Sequence, residues 1–359
     1  MIMSEKCKQH VDSCRFCWMC HHICPVGNAS GQERNTARAR ALGISLVNRD
    51  AIDLSEIMDN IYECATCGGC VHECVTGWDP VMFTKETRLQ AALEGKLPAY
   101  IMTLVENCMN TGNPYGKTEC DAALTEAKKA HAALTDTLLY LGNDATYMVS
   151  EQAVKAIKVL EAAGVNFTVL DKESASGAEL DFLIGAANET KAQMNECAKV
   201  LDGFKTVVLY DPADAKTVKQ TYKEYGVDVK AETVTYTSFV ASLIENGALK
   251  VAKSDKVVAL QDPFQLARDL EETEPARVIV NAVATLKEFH LNRKETVWAG
   301  NILMAQYSPY IEEVAKRRIF NAKALEIPAI ATASVSEYAA LKAVATDVEI
   351  YSLEDLILG

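Results

Sequence analysis

Two runs of four cysteines share one spacing in this 359-residue chain. The first is Cys14-x-x-Cys17-x-x-Cys20-x-x-x-Cys24, followed by Pro25, and the second is Cys64-x-x-Cys67-x-x-Cys70-x-x-x-Cys74, followed by Val75. Three thiolates at three-residue spacing can wrap one cubane of iron and sulfide, and the repeated pattern is that of bacterial two-cluster ferredoxins. The spacing therefore predicts two 4Fe-4S clusters and an electron-carrying domain.

The fourth cysteine of each run is expected to cross over, because in two-cluster proteins it ligates the cluster of the other run. The first cluster, cluster 1, is then expected to be bound by Cys14, Cys17, Cys20 and Cys74. The second, cluster 2, is expected to be bound by Cys64, Cys67, Cys70 and Cys24. The four remaining cysteines are too scattered to build a third site and fit the role of small buried hydrophobes: Cys7, Cys108, Cys120 and Cys197.

Zinc is the alternative occupant, because paired Cys-x-x-Cys units also make tetrahedral zinc sites. The third regular cysteine and the reciprocal fourth are unnecessary for zinc, so the spacing favours iron–sulfur clusters. His21, His22 and His72 lie within the runs and could donate hydrogen bonds to cluster sulfur. The sequence favours the simpler interpretation, in which they are solvent-facing loop residues.

The composition limits the remaining functions. A formal net charge of −13 and a pI near 5.1 disfavour nucleic acid and anionic lipid surfaces as partners. The first residues lack the apolar region of a secretory signal, and no apolar run is long enough for a transmembrane segment. We therefore expect a cytoplasmic protein, where thiols stay reduced and cysteines serve as metal ligands. Walker loops, dinucleotide-binding glycine motifs and nucleophilic catalytic sets are not found.

The segments around the runs are predicted to be helical. An alanine- and arginine-rich stretch at 35–42 and helically spaced apolar residues at 51–62 favour helices between the runs. Asp79-Pro80 is typical of an N-cap followed by proline at the first helical position, which predicts a helix ending near Leu93. The turn-rich segment 110–116 marks a boundary. Residues 1–120 are thus expected to form a helical, ferredoxin-like domain binding both clusters.

The rest of the chain predicts an α/β region with parallel strands, because short apolar runs alternate there with helix-like stretches. The apolar runs lie at 137–141, 167–170, 206–210 and 257–260. The last two both end in Asp-Pro, at 211–212 and 262–263, which suggests an internal duplication. Asp-Pro after a strand is also ordinary loop chemistry, so the duplication stays open.

The double cysteine run and the turn at 110–116 resemble those of the iron–sulfur subunits of the glycolate oxidase, anaerobic glycerol-3-phosphate dehydrogenase and heterodisulfide reductase group. In that group a helical dicluster domain precedes two CCG-type cysteine-rich domains, and the resemblance covers essentially the whole chain. It implies CCG-like α/β domains at 130–252 and 253–359. It also implies an FAD-containing partner resembling 2-hydroxyacid dehydrogenases, with or without an electron-transfer flavoprotein.

The chain departs from that group where the CCG domains carry their cysteines. The matching positions hold no cysteine and fall in five short segments: Ser174–Gly177, Asp211–Asp214, Asp262–Gln265, Trp298–Asn301 and Ala333–Ser336. The resemblance therefore implies the fold of these domains but not their metal site, and the second part of the chain is expected to fold without iron.

The expected function is electron transfer by an iron–sulfur subunit, between a flavoprotein dehydrogenase and another carrier, with substrate chemistry left to the partner. A heterodisulfide or thiol–disulfide reductase subunit is one alternative, which the missing cysteines disfavour. An iron–sulfur redox sensor is another, which the acidic charge and the lack of a basic helix disfavour.

Overall fold

The computed structural model describes residues 4–359. Met1–Met3, at the start of the segment that lacks the apolar region of a secretory signal, lie outside the described residues. The chain forms a helical part followed by an α/β part with two parallel sheets, as the sequence predicts.

The helical part carries both cysteine runs. Its helices are α1 (Glu5–Asp12), α2 (Met19–Ile23), α3 (Pro25–Ser30), α4 (Ala37–Asn48), α5 (Met58–Tyr62), α6 (Gly69–His72), α7 (Pro80–Leu93), α8 (Ala99–Thr111) and α9 (Ala122–Ala130). Helix α7 has the predicted bounds, because the Asp79 carboxylate accepts a hydrogen bond from the Met82 amide at 2.9 Å and Pro80 occupies the first helical position. Helix α8 ends at Gly112, which has a left-handed φ of 82°.

The helix predicted at 51–62 is shorter and divided. Asp53 and Glu56 form a capping box that starts a 3₁₀ turn over Leu54–Ile57, and α5 follows directly. The helical spacing of the apolar residues is kept, since Leu54, Met58 and Ile61 are all buried. The sequence therefore predicted the buried face of this segment correctly but placed the start of the helix too early.

The first sheet contains β1 (Thr137–Tyr140), β2 (Thr206–Leu209) and β3 (Glu232–Thr235), which are parallel and lie in that order. The apolar run at 167–170 contributes only a parallel bridge between Thr168 and Leu138 on the free edge of β1. The helices of this half are α10 (Asn143–Tyr147), α11 (Ser150–Ala162), α12 (Ala178–Ile184), α13 (Asn188–Leu201), α14 (Pro212–Lys216), α15 (Tyr222–Tyr225) and α16 (Tyr236–Glu245).

The second sheet has the order β5 (Thr285–Lys287), β4 (Val257–Gln261), β6 (Ala329–Thr332) and β7 (Glu349–Ser352), again all parallel. Its helices are α17 (Glu274–Val283), α18 (Ile302–Ala305), α19 (Ile311–Ala324), α20 (Val335–Val344) and α21 (Leu353–Leu358). Two π-helical turns, Thr217–Thr221 and Gln265–Asp269, follow β2 and β4. Helices α16 and α17 pack against each other and join the two sheets through one apolar core.

The two sheets share one strand order. If the bridge at Thr168 is counted as a strand, each sheet runs second, first, third, fourth in chain order. The Asp-Pro repeat in the sequence does not follow this symmetry. Asp211 comes after the third strand of the first sheet, whereas Asp262 comes after the first strand of the second. The similarity of the two halves therefore lies in topology rather than in that motif.

The helical part and the α/β part share apolar packing. Leu180, Leu183 and Ile184 of α12 belong to the same buried cluster as Ile44 and Phe83 of the helical part. The Tyr62 hydroxyl donates to the Leu183 carbonyl at 2.6 Å across this boundary. The domain boundaries at 120, 130 and 252 stay predictions. Within residues 4–359 no helix combines the length and apolar character needed to cross a membrane.

Candidate cluster-binding site and adjoining cleft

The two cysteine runs fold into matching turns. The second residue after the first cysteine has a left-handed φ in both, 56° at Phe16 and 50° at Thr66, and so has the fourth, 68° at Trp18 and 72° at Gly68. The Phe16 and Thr66 amides each point to the thiol of the first cysteine at 3.4 Å. Left-handed φ favours glycine, which only the second run supplies at its fourth position, so the first run holds Trp18 in a strained conformation.

Cys24 faces the second run rather than its own. A small cavity is lined by Cys24 together with Cys64, Cys67 and Cys70. Cys24 is also the N-cap of α3, and its sulfur accepts a hydrogen bond from the Gly27 amide at 3.4 Å. The start of α3 thus points the Cys24 thiol at the second run. These four residues are the set expected to bind cluster 2.

The residues expected to bind cluster 1 differ in their exposure. Cys14, Cys20 and Cys74 pack against the apolar core of the helices, while Cys17 is exposed. Burial acts to raise the pKa of Cys74, but hydrogen bonds from Thr76, Trp78 and Gly77 outweigh it and hold that pKa below its usual value. Donors of this kind also stabilise a thiolate that ligates iron.

Burial raises the pKa of three further thiols, Cys20, Cys67 and Cys70. Burial, followed by the neighbouring Cys14 charge, raises the pKa of Cys20 to about 11. Burial likewise raises the pKa of Cys67 to about 11, against the lowering effect of Arg268. The pKa of Cys70 is raised by burial and then by the charges of Cys64 and Cys67. Metal binding must therefore displace protons from these thiols, as thiolate coordination requires.

Unpaired donors beside the cavity fit an iron–sulfur cluster. Arg40 lines the cavity, and its buried Nη2 has no hydrogen-bond partner among the described residues. Asn35 accepts a contact from the Cys24 thiol at 3.3 Å through its carbonyl, while its buried Nδ2 is also unpaired within residues 4–359. Sulfide and thiolate sulfur accept hydrogen bonds from such groups, which makes the cavity suitable for a cluster.

A site for a single metal ion needs ligands that converge more closely than the ligands of a 4Fe-4S cluster do. Across residues 4–359, no three His, Cys, Asp or Glu side chains converge closely enough to hold one metal ion. A 4Fe-4S cluster is a larger group, whose ligands surround a cube of iron and sulfide instead of one ion.

The three histidines of the cysteine runs lie in different surroundings. His22 Nε2 is 4.0 Å from a Glu73 carboxylate oxygen, which links the two runs when the imidazole is protonated. His21 packs beside Trp18 with ring centroids 6.0 Å apart. His72 lines the large cleft described next.

A cleft of about 610 Å³ adjoins the cavity. It is lined by residues of the helical part and of both halves of the α/β part. Ala65, Thr66 and Gly68 line the cavity and the cleft alike. Four of the five segments that lack the family's cysteines contribute residues to the cleft: Asp211, Ala213, Asp214, Phe264, Gln265, Trp298, Gly300, Asn301, Ser334 and Ser336. The fifth contributes Ser176, whose hydroxyl hydrogen-bonds the Asp214 carboxylate. The five segments thus meet in one place.

The cleft carries buried carboxylates in place of thiols. Burial, followed by the charge of Asp144, raises the pKa of Asp211 to about 8 and that of Glu179 to about 7. Burial also raises the pKa of Asp214, with the charges of Glu179 and Asp211 acting in the same direction. Carboxylate oxygens are hard ligands, whereas iron–sulfur clusters are held mostly by thiolates, so this lining does not suit a cluster.

Sequence reasoning missed the buried arginines near the second run, because no motif distinguishes a buried arginine from a surface one. Arg40 and Arg88 are 2% and 0% exposed, respectively. Their burial was indicated only by the apolar residues that surround them on their helices. Asp144 and Glu179, which line the cleft from other segments, were missed for the same reason.

Comparison with known proteins identifies the class. Residues 10–78 match the family model of the 4Fe-4S dicluster domain, which contains both cysteine runs. The chain is therefore an iron–sulfur protein with a dicluster domain.

The chain is also similar to several individual proteins. It is 28% identical to a probable membrane-anchored ferredoxin of Chromohalobacter salexigens over 72% of this chain and 39% of that protein. It is 25% identical to a subunit of the dihydromethanophenazine:CoB--CoM heterodisulfide reductase of Methanosarcina acetivorans, over 79% of this chain and 75% of that relative. It is 20% identical to a subunit of the fumarate reductase (CoM/CoB) of Methanothermobacter marburgensis, over 89% of this chain and 65% of that relative. The chain is homologous to this heterodisulfide reductase component and to related iron–sulfur proteins, and it spans about two fifths of the first relative's length.

Proposed function

We propose that the chain relays single electrons between an FAD-containing dehydrogenase subunit, of the 2-hydroxyacid dehydrogenase kind, and another carrier. An electron-transfer flavoprotein could belong to the same complex. Two 4Fe-4S clusters carry the electrons, cluster 1 on Cys14, Cys17, Cys20 and Cys74 and cluster 2 on Cys64, Cys67, Cys70 and Cys24. The proposal places the protein in the cytoplasm.

The observation that carries this proposal is the position of Cys24, which lines a cavity with Cys64, Cys67 and Cys70 of the other run. Zinc binding by paired Cys-x-x-Cys units needs no such exchange between runs, whereas two-cluster ferredoxins depend on it.

The protein's own residues bind and insulate the clusters. Trp78 is 2% exposed and covers the helical core beside the first run, with its Nε1 donating to the His10 carbonyl at 2.6 Å. On the first run, by contrast, Trp18 remains 48% exposed. Cys17 and Trp18 of the first run are thus open to a partner. When bound, the clusters supply one-electron carriers whose potentials depend on charge, hydrogen bonds and solvent exposure.

The α/β part serves as a docking and assembly platform in this proposal. Several relatives are named as subunits of a heterodisulfide reductase, which makes thiol–disulfide chemistry the second candidate. That chemistry at the cleft would need thiols, and the cleft positions hold Asp, Ser, Asn, Ala and Trp instead. The lining therefore favours electron transfer without catalysis.

The first test is metal content. The full chain prepared without oxygen is expected to contain about eight iron and about eight sulfide, as two cubanes require. Stoichiometric zinc without sulfide would contradict the proposal.

The second test is partner capture. The tagged full chain, purified without oxygen from its own cells, is expected to retain a flavin-containing protein that reduces the clusters when its substrate is added. The matched control is the chain with Cys17 and Cys67 both changed to serine. It should still bind the flavoprotein but lose cluster reduction. Flavoprotein reduction that never reaches the clusters would exclude the relay.

A further inference from the structure

The charge around the second cysteine run differs from that around the first. Arg40 of α4 is buried among the cluster 2 thiols and donates from Nε to the Asn60 carbonyl at 2.9 Å. Its charge acts on Cys64, Cys24 and Cys70, and it contacts the Cys24 side chain. A positive charge therefore lines the same cavity as the four cysteines expected to bind cluster 2.

Arg268, from the π-helical turn after β4, supplies a second cation on the other side of the loop. Its Nε donates to the Cys67 carbonyl at 2.8 Å, which holds the guanidinium against the cysteine loop. The guanidinium is fixed by the carbonyls of Lys294 and Thr296, at 3.0 and 2.6 Å from Nη1. Its Nη2 is buried and unpaired in the described part of the chain.

Glu63 also lines the cavity and could offset these charges. Arg40 and Arg34 are among its charged neighbours, so one negative charge stands against the charges of Arg40 and Arg268. The carboxyl also accepts a hydrogen bond from the Ser308 hydroxyl at 2.5 Å. Each of the two arginines contacts a cysteine of the set, Arg40 the Cys24 side chain and Arg268 the Cys67 carbonyl.

The first run has a different neighbour. Arg38 lies 3.8 Å from the centre of the Trp18 ring, but its Nη2 donates to Glu33 at 2.9 Å. Both side chains are partly exposed. An ion pair open to water has little effect beyond its own contact, because the charges cancel and solvent screens them. Cys17 and Phe16 of this run are exposed as well.

We propose that the buried charge of Arg40 and the partly buried charge of Arg268 hold the reduction potential of cluster 2 above that of cluster 1, so that the first electron to enter the chain comes to rest on cluster 2. Reduction adds one negative charge to a cluster, and a buried cation stabilises that charge more than a screened one does. An electron from the flavoprotein donor would then enter at the exposed first run and settle on the cluster held by the second run. The inference rests on the proposed function, because it requires both clusters.

The test is a redox titration of the full chain, followed by electron paramagnetic resonance under anaerobic conditions. A Cys17→Ser variant identifies the signal of cluster 1. In the wild-type chain the higher midpoint is expected to belong to cluster 2. Arg40→Gln should lower that midpoint by at least about 59 mV, a tenfold change in a one-electron equilibrium. Arg40→Lys keeps the charge and should restore most of the shift, and the matched control Arg38→Gln should change neither midpoint.

A second pair of variants covers the case in which Arg40→Gln loses cluster 2. Arg268→Gln should lower the cluster 2 midpoint, while Arg268→Lys should do so much less. An unchanged midpoint in the Gln variants, equal shifts for Gln and Lys, or a higher wild-type midpoint for cluster 1 would overturn the inference. Iron and sulfide contents far below about eight in the wild-type chain would instead overturn the proposed function, which keeps the two failures distinct.

Discussion

Cys24 has two roles that a substitution can separate. Its side chain caps the start of α3 and also faces the second cysteine run. Serine is among the best N-cap residues, so a serine at this position keeps the helix start while removing the thiolate. The residue therefore allows loss of a cluster ligand to be distinguished from loss of local structure.

We expect Cys24→Ser to damage cluster 2, whose other proposed ligands are Cys64, Cys67 and Cys70, because the fourth ligand is expected to cross over. The measurement is the resonance spectrum and iron content of the anaerobic full chain, with Cys17→Ser as the matched change in the other set. Damage confined to the cluster of Cys14, Cys17 and Cys20 would show that the fourth ligands do not exchange.

The cluster cysteines could be predicted from the sequence alone, because three cysteines at three-residue spacing can bind one cubane within a single loop. The arginines near cluster 2 could not be found in this way. Arg268 is 201 positions from Cys67 along the chain, and only the folded molecule brings the two together. Local pattern thus predicts the ligands, while the charges that tune them depend on long-range packing.

At the scale of elements, α12 forms one of the contacts between the helical and α/β parts. It ends at Gly185, whose φ of 60° and ψ of −144° lie in a region that glycine alone adopts readily. A Cβ at this position would lie 2.9 Å from the Lys85 carbonyl of α7. The glycine therefore allows α12 and α7 to approach closely.

Gly185→Ala is expected to destabilise the chain by about 3 kcal/mol or more, because strain and a backbone clash add together. Gly226→Ala is the matched control, since Gly226 has a left-handed φ of 73° but nothing within 4 Å of an added Cβ. It should cost about 1 kcal/mol. Urea unfolding of both variants gives the comparison. Equal losses would mean that the close approach at Gly185 is unimportant.

The carboxylates of the cleft give the α/β part a distinctive pH dependence. Burial and the charge of Asp144 raise the pKa of Asp211 from 3.8 to about 8. Between these values the folded state holds a proton that the unfolded state has released. Stability contributed by Asp211 therefore falls as the pH rises through this window.

Asp211→Asn should remove part of that dependence, because asparagine does not titrate and keeps the oxygen that accepts the Ala213 amide. The variant is expected to lose less stability than the wild-type chain between about pH 6 and about pH 8, and to be the more stable of the two at the higher value. Urea unfolding at both pH values is the measurement, with the exposed Asp228→Asn as control. The same decline in all three proteins would contradict the assignment.

Elements were predicted well where the signal is local and poorly where it is not. Asp79-Pro80 fixes the start of α7 within its own turn, and the structure confirms it. The run at 167–170 is apolar enough for a strand, yet it forms only one bridge, because strand formation depends on a partner elsewhere in the chain. The cleft could not be predicted for the same reason, since the segments that line it follow strands of both sheets.

At the scale of the whole molecule, the parts are expected to depend on one another. Leu303 of the second α/β half belongs to the apolar cluster of the helical part, as does Leu183 of the first half. Because ligand binding to the folded state adds its binding free energy to folding, loss of the clusters should weaken this shared core.

Removal of the clusters should therefore lower the stability of the α/β part as well. Trp298 is buried in the second half and can report on it once Trp18 and Trp78 are changed to phenylalanine. In this variant, we expect the urea midpoint followed by Trp298 fluorescence to fall when iron is removed. A midpoint that does not change would show that the α/β part folds independently of the clusters.

The bond from Arg268 to the Cys67 carbonyl also has a consequence for biosynthesis. The cysteine loop is synthesised long before Arg268, which hydrogen-bonds to it, since synthesis runs from the amino terminus. An assembly factor can therefore insert iron into the loop while the chain is still being synthesised. The part of the chain that contains Arg268 then folds against the loop. Chains halted at residue 252 should accept iron at both runs but lose it from the second run first in air, as timed iron release from such chains would show.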